Sequence, residues 1–394
     1  MSTLMMQAGD VPLLKFSELA ISPSLQRNIA ALGHTTATPV QTASLPPLLA
    51  GTDVVAKART GTGKTLAFLI PTLQRLGETE RPRRQIRALV LSPTRELAAQ
   101  IGVAASSLVA GSQLRTAVIF GGTSMAKDRQ MLSGEIDILI ATPGRLWDHM
   151  QNENLAPRLK ALQTLILDEG DRLLDQGFSK QIGEIVSYLP AERQSLCFSA
   201  TMPPALSRVL GNTLRADHLV IDCVGTAADS ETASRVEQAF ISAPMNAVPA
   251  LAAAAVAEEL ISPTGKVVVF CPTANQAQFL SELFTAMGVK NDPLHSRKSQ
   301  AFRTRVSNDF RDKVSGVIVA SDVAARGVDY PDVSAGFQSC PIPSLACLSY
   351  PIHTPACLTG AAKLFHSPRL SSSSLPTVPP IPHIPHTHHI LLPP

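Results

Sequence analysis

The octapeptide Ala58-Arg59-Thr60-Gly61-Thr62-Gly63-Lys64-Thr65 has the residue types and spacing that hold a phosphate. Gly61 and Gly63 let successive backbone N–H groups turn inward around phosphate oxygens. Lys64 then reaches the β- and γ-phosphates, and Thr65 offers a hydroxyl to Mg²⁺. Ala58 stands where most such loops carry their first glycine. A second group, Asp168-Glu169-Gly170-Asp171, follows the apolar run from Thr164 to Leu167. In phosphoryl transfer the first acid can hold Mg²⁺, often through water, while the second orients and deprotonates the attacking water. The bland alternative for these acids is a helix cap with charges in its first turn. Downstream of a phosphate loop, they read as the second half of a nucleoside triphosphate site.

Such groups need elements to hold them. Asp53-Val54-Val55-Ala56 reads as a short buried strand, and Thr65 to Leu76 as a helix whose N-terminus faces the anion. Further apolar runs follow at Ile86–Ser92, Thr116–Phe120, Asp137–Ala141, Thr164–Leu167, Ser195–Ser199 and Leu219–Asp222, with helical stretches between them. This is the rhythm of an open, mainly parallel sheet, which places ligands in loops at the carboxyl ends of its strands. Upstream, a helical stretch from Ser24 to Leu32 stops at Gly33 and is followed by Thr38-Pro39-Val40-Gln41. A glutamine amide can bond an adenine edge at N6 and N7, although an isolated Gln41 is more often a surface amide. Phe16 is in the same way either a core residue or a platform for a base.

Composition sets the outer bounds. The 394 residues suffice for two domains, and a hydrophobic fraction of 45% with only 4% aromatics suits parallel sheets covered by helices. A net charge of +3 is too small to reveal a nucleic-acid partner by bulk electrostatics. Six scattered cysteines lack metal-ligand spacing, so free thiols in a reducing compartment are expected and disulfides are not. The longest apolar run, from Val248 to Ala257, is too short to span a bilayer, and no targeting segment is visible at the start.

With these residues in place, the chain resembles a DEAD-box RNA helicase, a superfamily 2 ATPase of two RecA-like domains, over roughly residues 16 to 333. Phe16 and Thr38 to Gln41 resemble the family's adenine-reading motif, Ala58 to Thr65 its phosphate loop, and Asp168 to Asp171 its namesake tetrapeptide. Ser199-Ala200-Thr201 is similar to the element that couples ATP turnover to strand separation, acting with Asp171. Pro93-Thr94-Arg95-Glu96-Leu97, Gly121-Gly122 and Thr142-Pro143-Gly144-Arg145 are similar to its RNA-facing motifs. Glycines there admit a close backbone approach, and Arg95 and Arg145 can pair with phosphates. Two departures are Gly170, where the family usually has alanine, and His34, where an aromatic usually follows the glycine.

The resemblance implies boundaries and roles. Residues 1–15 form an N-terminal extension, 16–222 a first RecA-like ATP-binding domain, 223–235 a polar linker and 236–333 an incomplete second RecA-like domain. In the second, Val236–Ile241, Lys266–Cys271 and Gly316–Ala320 read as strands, and Thr273–Met287 and Ser299–Phe310 as helices. Ser321 to Asp329 matches the motif at the domain cleft, with Ser321 toward RNA and Asp329 toward the nucleotide. The basic stretch His295 to Lys298, with Arg303 and Arg305, faces an RNA groove on this reading, Gln300 and Arg303 matching a backbone-contact element. Beyond Val333 the expected pattern is a disordered Pro/Ser/His-rich tail, with twelve prolines, no acid and no His-Arg-x-Gly-Arg-x-Gly-Arg segment. Its cysteines and its cluster of histidines from His383 to His389 fit no structural zinc spacing.

The implied function is ATP- and Mg²⁺-dependent remodelling of RNA by a monomer, with RNA bound through its backbone, possible ribonucleoprotein partners, and no membrane. Lys64, Asp168 and Glu169 are its catalytic residues, and Thr65 and Asp168 its metal ligands. The alternative is an ATP-gated RNA-binding protein with little turnover, since the arginines that stabilise charge on the γ-phosphate are missing. Likeness to organellar members that act on intron RNA points to mitochondrion or plastid.

Overall fold

The computed structural model describes residues 4–7, 12–224, 236–241, 247–321, 330–339 and 346–351. Residues 4–222 build an eight-stranded sheet in the order β1-β8-β2-β7-β6-β3-β5-β4, with every pairing parallel. Its strands are β1 (Leu4–Gln7), β2 (Val54–Lys57), β3 (Ala88–Leu91), β4 (Thr116–Ile119), β5 (Ile138–Ala141), β6 (Thr164–Asp168), β7 (Gln194–Ser199) and β8 (Leu219–Asp222). The expected strands from the sequence all form, with ends within two residues of those expected. β1 lies in the segment read as an extension and adds an edge strand beside β8.

Strand residues alternate between two cores, which is why these runs are apolar throughout rather than at every second position. Val54, Ala56, Ala88, Val90, Ile138 and Ile140 face one core. Val55, Leu89, Leu91, Leu139 and Ala141 face the other. Helices α1 (Pro23–Ala31), α2 (Pro39–Leu49), α3 (Lys64–Glu78) and α4 (Arg95–Leu108) cover the first face through Ile29, Leu45, Phe68 and Ile101. The helices α6 (Pro143–Asn152), α8 (Ser179–Ser187) and α9 (Pro204–Gly211) cover the second through Leu146, Ile185 and Leu206, while α5 (Met125–Leu132) and the short α7 (Gly170–Asp175) complete the layer.

The order of strands decides the position of the site. β7 lies between β2 and β6, so the loop after β2 and the acids after β6 emerge on one edge, two strand spacings apart, or about 10 Å. Side chains the length of lysine and glutamate close that gap.

The second sheet runs β11-β12-β10-β13-β14-β9, from β9 (Val236–Ile241), β10 (Lys266–Cys271), β11 (Asp292–Leu294), β12 (Gly316–Ser321), β13 (Ala335–Ser339) and β14 (Ala346–Pro351). The expectation that regular structure ends at Val333 is corrected here. Ala335–Ser339 pairs in parallel with β10, and Ala346–Pro351 lies antiparallel between β13 and β9. Ala335 and Phe337 are buried in the same core as Val267 and Val317, so the apolar pattern of this segment outweighed its proline content. These two strands complete the second sheet between β10 and β9. Residues 352–394, including the histidine cluster, lie outside the described residues, as do 225–235 of the linker.

The exchange of alanine for Gly170 is not symmetric. A Cβ at Gly170 would stand 2.9 Å from Cys197 Sγ and 3.2 Å from a methyl of Leu206. Gly170→Ala is expected to cost about 1–3 kcal/mol in thermal or urea unfolding, as overpacking does. Cys197→Ala should restore most of it. Equal losses in both backgrounds would show that the thiol is not the obstacle.

Candidate nucleotide and RNA site

The loop after β2 adopts the expected shape. Gly61 and Gly63 have φ of 74° and 88°, a left-handed conformation that side chains disfavour. A Cβ at Gly63 would also lie 2.4 Å from Gln41 Nε2, so glycine is required there twice over. Ala58 is fully buried and its N–H donates to the Ser199 carbonyl at 2.9 Å, anchoring the loop to β7. Lys64, at the start of α3, donates to the Ala58 carbonyl at 3.2 Å and to Glu169 Oε1 at 2.9 Å. Lys64 and Glu169 are 6% and 5% exposed, so this is a buried ion pair made across β7. Arg59, Thr60, Thr62 and Thr65 remain at least partly open to solvent.

Glu169 has φ 51° and ψ 54°, an unusual conformation for a residue with a side chain. Its Oε2 is buried without a hydrogen bond, and Arg172 approaches only to 3.4 Å. Burial, with the neighbouring charge of Glu169, pushes the Asp168 carboxyl from 3.8 up to about 7, and Lys64 only partly offsets this. The paired acids are short of positive charge. That deficit fits a divalent cation.

Asp171 is tied to β7 rather than to the acids beside it. Its carboxylate accepts from the Thr201 N–H at 2.9 Å and hydroxyl at 2.7 Å, while its own N–H donates to Ser199 Oγ at 3.0 Å. Burial works against the charge, but the bonds from Thr201 and Ser199 outweigh it and hold Asp171 below the usual carboxylate range. The coupling element suggested by the sequence is thus joined directly to the acid loop.

Gln41 occupies the first turn of α2 with both ends of its amide in use. Oε1 accepts from the Thr38 N–H at 2.8 Å, and Nε2 donates to the Gly63 carbonyl at 2.9 Å. These bonds brace the phosphate loop and leave one N–H and one oxygen lone pair of the amide for a further partner. Phe16 is 3% exposed in the first core, a packing position rather than an open platform. Asp329 lies outside the described residues.

The RNA-facing motifs line the same edge but divide by exposure. Gly122 is exposed, while Arg95, Gly121 and Gly144 are half-buried. Pro93, Thr94, Thr142, Pro143, Arg145, Arg303 and Ser321 are buried. Thr94 caps α4 by accepting the Leu97 N–H, and Pro143 starts α6, so these residues shape turns. The expectation that Arg303 turns toward RNA is corrected. Its Nη2 lies 2.6 Å from Glu96 Oε1, and the pair is 8% and 4% exposed. Gln300 bonds both Arg95 and Glu96, so the helix Gln300–Asp312 of the second sheet is fastened to α4 of the first.

A charge pair hidden this well loses much when one member is removed. In unfolding experiments, Glu96→Ala and Arg303→Ala are expected to be each destabilising and to show a coupling of about 1–3 kcal/mol in a double-mutant cycle. Additive losses would mean that the contact does not join the two halves in solution. Sequence reasoning missed Glu96 as a partner because nothing along the chain links it to residue 303.

The DEAD/DEAH box helicase family model matches residues 38–209, and the helicase conserved C-terminal domain model matches residues 252–346. DEAD-box ATP-dependent RNA helicase 26 of Oryza sativa subsp. japonica is 40% identical over 328 residues, covering 82% of this chain and 61% of that protein. DEAD-box ATP-dependent RNA helicase 31 of Arabidopsis thaliana is 41% identical over 335 residues, covering 82% and 46%. The chain thus spans between 46% and 61% of the length of these relatives. Among solved structures, Mss116p bound to ssRNA and AMP-PNP superposes with a TM-score of 0.77 at 26% identity, covering 85% of this chain and 72% of that one. S. cerevisiae Dbp5 bound to RNA and ADP BeF3 superposes with a TM-score of 0.71 at 25% identity, covering 82% and 79%.

Proposed function

This chain belongs to the DEAD/DEAH box helicase family, and from that premise we propose that it binds ATP and single-stranded RNA and uses ATP hydrolysis to remodel short RNA duplexes. The observation that carries the proposal is the 2.9 Å contact of Lys64 with Glu169. It unites the phosphate loop with the acids in one place, as a single triphosphate requires. Relatives named as RNA helicases and the superposed structures bound to RNA and ATP analogues support the same reading.

In this mechanism the N–H groups from Gly61 to Lys64 cradle the phosphates at the N-terminus of α3. Lys64 exchanges Glu169 for phosphate oxygen, which frees the Glu169 carboxylate to orient water and take its proton. Asp168 and Thr65 would hold Mg²⁺, which neutralises charge on the phosphates. Asp171, through its bonds to Thr201, passes the state of the acid loop to β7 and the segment that follows it. RNA crosses the edge at Arg95 and Gly122, recognised through its backbone and hence with little sequence preference.

A second reading rests on one feature of the sequence. After Val333 the chain contains a single arginine, Arg369, and no His-Arg-x-Gly-Arg-x-Gly-Arg segment. Loss of an arginine that stabilises the transferring phosphoryl group costs about 10³–10⁵ in turnover. The chain would then be an RNA binder gated by ATP. RNA-stimulated ATP hydrolysis, measured beside a Lys64→Ala control, separates the two. Turnover equal to the control, with ATP still bound, rejects the enzyme and keeps the binder.

A further inference from the structure

The sequence assigns Arg145 to RNA phosphates, but the structure uses its guanidinium internally. Nε donates to Asp128 Oδ2 at 2.6 Å, and Nη2 donates to the Thr123 carbonyl at 2.6 Å. Thr123 directly follows Gly121 and Gly122, the exposed turn of the RNA-facing motifs. Asp128 also meets Thr123 Oγ1 at 3.3 Å and His149 Nε2 at 3.2 Å. An ionised carboxylate only accepts, so Nε2 carries the proton in that contact. Asp128, Arg145 and His149 are 4%, 8% and 0% exposed. The other flank of the turn is held differently. Arg95 lies against it so closely that a Cβ on Gly122 would fall 2.1 Å from Arg95 Nη1.

On these contacts, and resting on the RNA-binding reading above, which already places RNA at Arg95, we infer that Asp128 and His149 act with Arg145 as positioning residues for the Gly121-Gly122-Thr123 turn, with Arg145 turned away from RNA phosphate. The buried carboxylate of Asp128, on α5, gathers three donors, two from α6 and one from the turn, and Arg145 fixes the Thr123 carbonyl. The glycine backbone is thereby held outward at an angle set from inside the domain. His149, at the far end of α6 from the RNA edge, sets the orientation of Asp128. In sequence, Asp128 looks like any acid in the first turn of a helix, and His149 like any core histidine.

Salt dependence distinguishes the roles. Each phosphate contact with single-stranded nucleic acid contributes about 0.7 to the slope of log affinity against log salt. The experiment titrates a labelled single-stranded RNA oligonucleotide with the full chain and ATP analogue, by fluorescence anisotropy, across a range of salt. Arg95→Gln is expected to weaken binding and lower the slope by about 0.7. The paired change Arg145→Gln with Asp128→Asn, which leaves no lone buried charge, is expected to weaken binding about tenfold with the slope unaltered, corresponding to about 1.4 kcal/mol. His149→Leu should weaken binding about threefold to tenfold, again without altering the slope. His149→Gln, whose amide can still donate to Asp128, should recover most of that loss.

A slope lowered by the Arg145 pair as much as by Arg95→Gln would overturn the inference and return Arg145 to the phosphates. Unchanged affinity in both His149→Leu and the Arg145 pair would overturn it too. If the unaltered chain shows no salt-dependent RNA binding, the functional reading itself fails, which the first two outcomes leave standing.

Discussion

Lys64→Ala is expected to reduce ATP turnover by about 10²–10³ and to destabilise the nucleotide-free protein at the same time. The first effect follows from removing a cation aimed at developing phosphate charge in a site shielded from water. The second follows from what Lys64 does before nucleotide arrives. Glu169 Oε2 already lacks a hydrogen bond, so removing Lys64 leaves the buried Glu169 with only the longer ion pair to Arg172 at 3.4 Å. Breaking a buried pair in this way costs about 3–5 kcal/mol. A second variant tells the two effects apart. Lys64→Ala with Glu169→Gln should recover much of the lost stability, because the poorly paired charge is gone, and recover none of the turnover. Unfolding curves and initial rates on the same preparations measure both. Turnover in Lys64→Ala close to that of the unaltered chain would remove the phosphate loop from the mechanism.

Asp168→Asn is expected to make the nucleotide-free protein more stable while abolishing hydrolysis. Burial beside Glu169 raises the folded-state pKa of Asp168 to about 7 from an ordinary 3.8. The folded protein therefore holds a proton here more firmly than the unfolded chain does. The stability tied to that proton is fully present below the ordinary carboxyl pKa and is lost as pH rises through about 7. Asparagine, neutral at every pH and still able to accept the Glu169 N–H, escapes the penalty. Its gain should be largest, on the order of 2–4 kcal/mol, at about pH 8, and should shrink steadily as the medium is acidified. Turnover should fall by at least about 10²-fold, since the carboxylate that would hold Mg²⁺ is gone. Thermal melts across pH check the first claim. A variant that is less stable at all pH values would show that Asp168 is paired in the folded state by a charge other than Lys64.

Both results express one compromise. A site that accepts a highly charged ligand keeps charges buried and only partly compensated while it waits, and the strained backbone of Glu169 belongs to the same arrangement. The fastening of Glu96 to Arg303 and Gln300 adds a connection between the two sheets.

Much of this was legible along the chain because it depends on local chemistry. Only glycine suits the left-handed turns at positions 61 and 63, and continuous apolar runs bounded by turns announce strands buried on both faces. Motif order then gave the family, the phosphate loop and the acids. The second domain was read too short because the prolines near residue 341 outweighed, by composition, the pairing potential of Ala335–Ser339. Composition records what a segment contains and cannot record that a neighbouring strand offers it a ladder.

Residue types along the chain therefore supply the set of groups: a lysine on a phosphate loop, paired acids after a strand, and arginines in glycine-bearing turns. Which of these groups face each other depends on the folded arrangement of the strands. The insertion of β7 between β2 and β6 brings Lys64 within 2.9 Å of Glu169, and Arg145 and Arg303 turn inward to Asp128 and Glu96 while Arg95 stays half-buried beside Gln300. The reason is physical. An arginine's residue type fixes its charge, but its partner is set by whichever carboxylate the fold buries beside it, across 17 or 207 positions of chain that no local pattern connects.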